Sequence, residues 1–315
     1  MDKQYRIRDL TKNKGLLGDN IIFMGFCLPA IVLTILFHWI PLYGIVLAFK
    51  DFKYPLGIAG SPWIGFDNFK YIFLNDDIYR ILRNTIGYSI ATLLLMNILF
   101  GIIVALLLYE VTKKAAFKIY QTSMLLPYFV SWTIISYIGL ILFNPKSGLL
   151  NQLITFFGGT PISWYNEAKY WPFIIMIFVI WKTVGMASLY YYAALLNIDP
   201  CLFEAANLDG AGKLKQIWYI SLPELKPMVA MTLIMQMGNI LNQGMDLYYN
   251  LTLNSTSLYS TTDVLGTYIY RGMVSGPSSI GPTAAVGLFQ SVVGFVLVMV
   301  TNGIVKKMDE KSAMF

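Results

Sequence analysis

Charge is what this sequence has least of. Asp, Glu, Lys and Arg make up 13% of its 315 residues against 57% hydrophobic, too little polarity to clothe a soluble domain of that size. A lipid bilayer is therefore the expected solvent. Histidine occurs once, at His38, and cysteine twice, at Cys27 inside the first apolar run and at Cys201 in a polar stretch. One histidine leaves no ligand set for metal catalysis or metal transport, and two scattered cysteines make no disulfide framework. Nothing reads as a Walker A loop, an H-E-x-x-H helix or a G-x-S-x-G elbow, so ATP hydrolysis by this chain and membrane-protease chemistry both lack their residues. Low-complexity tracts and clear internal repeats are missing too.

What the chain has instead is long apolar runs. Six candidate spans of about 20 residues or more, enough to cross the hydrocarbon layer, can be marked at 21–48, 86–109, 123–143, 173–196, 229–248 and 284–305. They predict an all-α integral membrane bundle of six helices, with a membrane domain over 21–305 between tails at 1–20 and 306–315. The fifth span is the weakest, because Gln236, Asn239, Asn242, Gln243 and Asp246 all fall within it. Prolines 29, 41 and 127 are expected to kink their helices. The basic tail 1–20 precedes an apolar run without an A-x-A cleavage site, so the first span is expected to be retained.

The net charge of +6 does not point to nucleic acid, because the basic residues stand in short groups flanking the spans. Lys3, Arg6, Arg8, Lys12 and Lys14, then Lys113, Lys114 and Lys118, then Lys213, Lys215 and Lys226, then Lys306, Lys307 and Lys311 fall on one side. Lysine and arginine gather on the cytoplasmic side of membrane proteins, which puts both termini in the cytoplasm. The opposite loops carry turn and aromatic residues such as Pro62, Trp63, Gly158, Gly159, Pro161 and Trp164, suited to headgroup anchoring or to docking an external partner.

The polar stretch 197–227, between the fourth and fifth spans, is the most informative. Asp199-Pro200 is a helix start, since aspartate caps free N–H groups and proline at the first helical position loses nothing. A short helix to Leu208 should follow and break at Asp209-Gly210-Ala211-Gly212, where glycine accepts backbone angles that other residues resist. A second helix from Lys213 is expected to end at Ser221, because Pro223 disfavours helical geometry at Leu222.

Read along the chain, this stretch is Glu204-Ala205-Ala206, three residues, Gly210, nine residues, Ile220, one residue, Leu222-Pro223. It resembles the EAA motif of the membrane subunits of bacterial ABC importers at every defining position. The resemblance implies a type I ABC importer permease fold with a cytoplasmic coupling helix, in the bacterial plasma membrane, and assigns Glu204, Ala205, Ala206, Asp209, Gly210, Ile220, Leu222 and Pro223 to coupling with an ATPase. It further implies a second homologous permease, two copies of a cytoplasmic ABC ATPase that hold the ATP and Mg²⁺, and an extracellular solute-binding lipoprotein. No cofactor is expected on this chain. Small side chains at 205, 206 and 210 would let another backbone approach, and Glu204 offers a charge. Segments 194–200, 49–52 and 284–291 look like carbohydrate-type permeases of the polysaccharide or complex-oligosaccharide group. The implied substrate is thus an oligosaccharide, with a non-sugar solute of the same importer class as the alternative.

Polar side chains within a span are costly and normally face the bundle interior. Gln236, Asn239, Asn242, Gln243 and Asp246 recur three, four and seven apart, so several share a helical face. They would either line a path for sugar hydroxyls or bond neighbouring helices to one another. Tyr190 and Trp181 add aromatic faces that suit either sugar stacking or packing. Lys182 lies deep in an apolar run and faces a watery path or snorkels outward; His38 is assigned only a polar contact. Two rivals have less behind them. A membrane-embedded sugar transferase could use Asp76 and Asp77 but has no companion motif, and a proton-driven transporter would not need the loop.

Overall fold

The computed structural model describes residues 23–74, 76–242 and 244–308. Residues 1–22, Asn75, Gln243 and 309–315 lie outside them. Among the described residues no strand forms; one isolated antiparallel bridge pairs Lys50 with Trp63, and the rest is helix and turn. In chain order the helices are α1 (Phe23–Phe49), α2 (Asp67–Leu74), α3 (Asp77–Tyr109), α4 (Lys114–Phe129), α5 (Trp132–Phe143), α6 (Leu149–Phe156) and α7 (Ala168–Leu196). Then come α8 (Pro200–Leu208), α9 (Lys213–Gln216), α10 (Lys226–Gly238), α11 (Met245–Leu251), α12 (Leu265–Val274) and α13 (Ser278–Lys307).

Four of these, α1, α3, α7 and α13, are long and apolar enough to cross a membrane unbroken. They match the first, second, fourth and sixth expected spans. The third and fifth are each divided. The third is α4 followed by α5, bent by 94°, a full break in the span where a kink at Pro127 was expected. Pro127 removes a ladder donor near the end of α4, Val130 turns extended, and the Ser131 hydroxyl starts α5 by accepting from the Ile134 N–H at 3.3 Å.

That break frees carbonyls, and in a bilayer each must find a donor within the protein. Lys182 of α7 supplies them. Its side chain is buried, and its Nζ donates to the carbonyls of Tyr128 at 2.7 Å, Pro127 at 3.4 Å and Val130. The rings of Tyr128 and Trp132 lie 5.6 and 5.2 Å away. Lys182 is thus neither a path residue nor a snorkel; it holds a helix break closed. Close approach of α4 and α7 makes this possible, since a Cβ added at Gly185 would sit 2.1 Å from the Met124 carbonyl oxygen.

The fifth expected span is split into α10 and α11 by an irregular segment at 239–242. Gly238 and Gly244 flank it, and Asn239 and Asn242 within it are exposed. The cause lies in those residues: amide side chains compete for backbone partners, and glycine does not favour a helical rod. Small residues also bring α10 against α13, where a Cβ at Gly294 would meet the Gly238 carbonyl oxygen at 2.7 Å. Pro41 opens the tighter-wound last part of α1 (Ile40–Phe49), after a widened turn at Ile35–Trp39.

Two packed cores sit at opposite ends of α7. One gathers Trp171, Ile175 and Phe178 with Phe143 of α5 and Tyr248 and Leu251 of α11. The other joins Tyr191 and Leu195 to Ile102 and Ala105 of α3 and to Leu225. By contrast, residues 23–43 of α1 are exposed throughout, Phe26 at 78%. A surface of that kind suits lipid or a companion subunit rather than water.

Candidate functional site

The loop after α7 folds as a hairpin, and each turn of it has a local cause. Asn197 ends α7, with its side-chain amide donating to the Ala193 carbonyl at 2.9 Å. Asp199 then adopts extended backbone, and its Oδ1 accepts from the Cys201 N–H at 2.9 Å, with Pro200 at the first position of α8. The same carboxylate disfavours the neighbouring thiolate, which pushes the exposed Cys201 thiol above its ordinary pKa.

Gly210 closes α8 in the left-handed region, at φ +72°. The Gly210 N–H donates to Asn207 O at 3.1 Å and the Ala211 N–H to Ala206 O at 2.8 Å, the paired bonds of a Schellman closure. Nothing lies within 4 Å of where a Cβ would project, so the demand for glycine here is conformational, not steric. Beyond the turn, Gln216 is buried and its Nε2 donates to Asn207 Oδ1 at 2.6 Å and to Ala211 O at 2.9 Å. This brace fixes the angle between α8 and α9. Lys213 reaches Glu110 at the end of α3, Nζ to the two carboxylate oxygens at 2.9 and 3.1 Å.

One expectation fails in the second arm. Leu222 keeps helical angles, φ −67° and ψ −41°, and the chain stays helical from 213 to 224. A widened stretch at Ile217–Ser221 precedes Pro223, which sits at the start of a fresh helical turn, where its missing N–H costs nothing.

The motif therefore divides into a free half and an anchored half. Glu204, Ala205, Asp209 and Gly210 are exposed and Ala206 is half-buried. Ile220 and Leu222 pack on the Leu195, Ile102 and Leu225 core, and Pro223 is half-buried beside them. Leu208, at the hairpin tip, is 91% exposed, and Trp218 and Tyr219 on the second arm stand out as well. Sequence reading passed over Leu208, Gln216 and the Lys213–Glu110 pair. The one available signal was an apolar leucine at the tip of a polar loop. Between the arms and α3 lies a cavity of about 260 Å³, with Tyr109, Glu110, Glu204 and Lys213 in its walls.

The path candidates are only partly brought together. Gln236 of α10, Asn239 and Asn242 in the break and Asp246 of α11 are exposed, while Ile234 of α10 is buried and Thr232 meets the Tyr191 hydroxyl at 3.1 Å. Tyr190 and Trp181 are both half-exposed, but nine residues is two and a half helical turns, so they stand on opposite faces of α7. Trp181 borders a groove of about 490 Å³ walled by aliphatic and aromatic side chains such as Ile138, Leu142 and Ile177. That groove offers no partners for sugar hydroxyls. Of the rival carboxylates, Asp77 is exposed and held by Arg80 at 2.7 Å. His38 is exposed on α1.

Residues 97–310 match the family described as "Binding-protein-dependent transport system inner membrane component". The chain is 37% identical to Protein LplB of Bacillus subtilis over 313 residues, covering 96% of this chain and 95% of that one. It is likewise 37% identical to the polygalacturonan/rhamnogalacturonan transport system permease protein YteP of the same organism, over 90% of this chain and 87% of the relative. Its fold is similar to that of a chain in a bacterial ABC transporter involved in the import of the acidic polysaccharide alginate, with TM-score 0.82, 30% identity and coverage of 95% and 99%. A second structure of the alginate transporter, bound to an alginate pentasaccharide-loaded periplasmic protein, gives TM-score 0.81 at 29% identity, covering 93% and 96%.

Proposed function

Because the chain belongs to the binding-protein-dependent transport system inner membrane components, we propose that it is the membrane-spanning subunit of an ATP-driven oligosaccharide importer. In this reading it is a half-channel in the bacterial plasma membrane. It pairs with a second permease, receives its sugar from an extracellular binding protein, and opens alternately to either side with both termini in the cytoplasm.

The observation that carries the reading is the division of the hairpin. Its free half presents small residues, the carboxylates of Glu204 and Asp209 and the leucine at its tip, a surface that another protein's cleft can take up. Its anchored half is packed into the core shared by α3 and α7. A push on the tip therefore reaches spanning helices through close-packed side chains rather than through a slack loop. ATP-driven closure of two separate ATPase subunits would supply the push, with Mg²⁺-ATP held by them. The printed names of the relatives, which concern polygalacturonan, rhamnogalacturonan and alginate, support a carbohydrate substrate. The exposed amides of Gln236, Asn239 and Asn242 suit hydrogen bonds to sugar hydroxyls along the path.

The test is coupling in the assembled complex. Glu204→Lys and Gly210→Trp should leave complex assembly detectable, yet separate ATP turnover from uptake of a labelled oligosaccharide. Normal uptake by both variants would refute the assignment of this loop, and failure of an ATPase subunit to co-purify with the chain would refute the importer reading.

A further inference from the structure

The apolar groove of about 490 Å³ between α5 and α7 lies toward the end of α7 away from the coupling hairpin. Every side chain in its wall is aliphatic or aromatic. Ile174, Ile177, Phe178 and Trp181 supply one side, three, four and seven apart and so on one stripe of α7, and Ile138 and Leu142 of α5 supply the other. At 1.5 Å per residue, Trp181 stands about 20 Å along α7 from Ala168, so the groove descends well into a hydrocarbon layer about 30 Å thick. Water finds no hydrogen-bond partners on such a wall, and an empty groove forfeits dispersion contacts on its open side. An acyl chain meets both conditions.

The mouth of the groove is fixed by buried amides. Asn144 ends α5, and its Oδ1 accepts from the N–H groups of Lys146 at 2.9 Å and Ser147 at 3.1 Å, which sets the turn into α6. Asn151 is 3% exposed. Its Nδ2 donates to the carbonyls of Pro145 at 3.0 Å and Ile162 at 2.9 Å, and its Oδ1 accepts from the Trp164 indole N–H at 3.0 Å, so the Trp164 ring is held in the wall. Two features at this mouth point to a phospholipid. Lys146 stands exposed in the turn between Leu142 and Leu150, both wall residues, and makes no ion pair among the described residues, whereas Lys169 is held by Glu167 at 3.3 Å. In addition, α6 turns Leu149, Leu153 and Phe156 outward, four and seven apart, with Phe157 beside them. An exposed apolar stripe on a short helix suits the plane of a membrane interface.

We propose that this groove is a binding site for an anionic phospholipid of the outer leaflet, with one acyl chain between α5 and α7 and the phosphate at Lys146. Lipid tails are as apolar as the wall, so selection among lipids comes from the shape of the groove and from the charge at its mouth. The bound chain braces α5, which the 94° break separates from α4. This goes beyond the importer reading and takes from it only the leaflet, since the hairpin at the other end of α7 faces the cytoplasm there.

The test is photocrosslinking in the assembled importer, reconstituted with its companion permease and ATPase subunits in nanodiscs. The probe is a trace of phosphatidylglycerol with a diazirine at mid-chain and, in a parallel sample, the phosphatidylcholine analogue; peptide mapping locates the crosslinks. Phosphatidylglycerol should mark 138–142 and 174–181 well above the exposed 23–43 stretch of α1, which reports bulk lipid. Phosphatidylcholine should mark the groove about fivefold less, and Lys146→Gln should lower the phosphatidylglycerol yield by about the same factor, while Lys146→Arg keeps it. Ile138→Trp, which fills the groove, should abolish the mark; if that variant assembles poorly, Lys146→Gln on its exposed turn decides alone. Unlabelled phosphatidylglycerol should compete and inorganic phosphate should not. Crosslinks no denser in the groove than on α1, or a yield unchanged in Lys146→Gln, would overturn the proposal. So would competition by inorganic phosphate, which would make Lys146 a site for free anions, or a groove unmarked in the complex, which would give it to the companion permease or the binding protein.

Discussion

At the scale of single residues, backbone demand and side-chain capping decide the outcome. Gly210 sits at φ +72° with open space around it, so substitutions there should rank by conformational cost. Gly210→Asn should be mild, whereas Gly210→Val should lose about 1–2 kcal/mol of local stability; amide exchange within the hairpin measures the difference. Lys182 is a sharper case. Lys182→Met would leave three carbonyls at the α4–α5 break without their donor, at a cost of about 3 kcal/mol or more. The variant should melt well below the parent in detergent, and an unchanged melting temperature would refute the capping role. For Cys201, the Asp199 carboxylate holds the thiol pKa up, so maleimide labelling should accelerate as pH rises. Asp199→Asn should make labelling severalfold faster at neutral pH while keeping the cap.

Local chemistry was legible in the sequence and non-local chemistry was not. The cap at Asp199, the start at Pro200 and the turn at Gly210 depend on neighbours within three or four residues, and they stand where the spacing put them. Lys182 serves carbonyls more than fifty positions away, and Gln216 braces Asn207 across a turn. No periodicity along one segment announces either. Leu222 was misread because the rule for residues before proline is a bias, and a widened turn at Ile217–Ser221 absorbed it.

Among the elements, the two divided spans carry the main departure from the six-rod expectation. Hydropathy measures how apolar a stretch is and says little about whether its ladder is continuous. Pro127 and Ser131 in one case, and Gly238, Asn239 and Gly244 in the other, were visible as residues, but their effect depends on what receives the freed backbone groups. Lys182 does so for the first break; for the second, Ser89 of α3 donates to the Ile240 carbonyl. Helix contacts also rest on glycine. Gly185→Ala would press a methyl into the Met124 carbonyl, and overpacking of this kind costs about 1–3 kcal/mol. Its thermal midpoint in detergent should fall, while Gly287→Ala, on an open face with nothing within 4 Å, should leave it unchanged. Equal behaviour of the two would contradict the close α4–α7 approach.

At the scale of the whole molecule, the proposed importer subunit would be moved by a partner that grips one hairpin. The anchored arm, α3 and α7 share a core, and the exposed apolar length of α1 and the amides of Gln236, Asn239 and Asn242 leave surfaces for lipid, a companion permease or a watery path. The most direct measurement is the accessibility of position 208. With Cys27 and Cys201 replaced by serine and Leu208→Cys introduced, a membrane-impermeant maleimide is applied to intact cells and to inverted vesicles. Labelling should occur in inverted vesicles only, and should be blocked while the ATPase subunits remain bound. Labelling of intact cells from outside would contradict the account, because the hairpin would then face away from any nucleotide-driven partner.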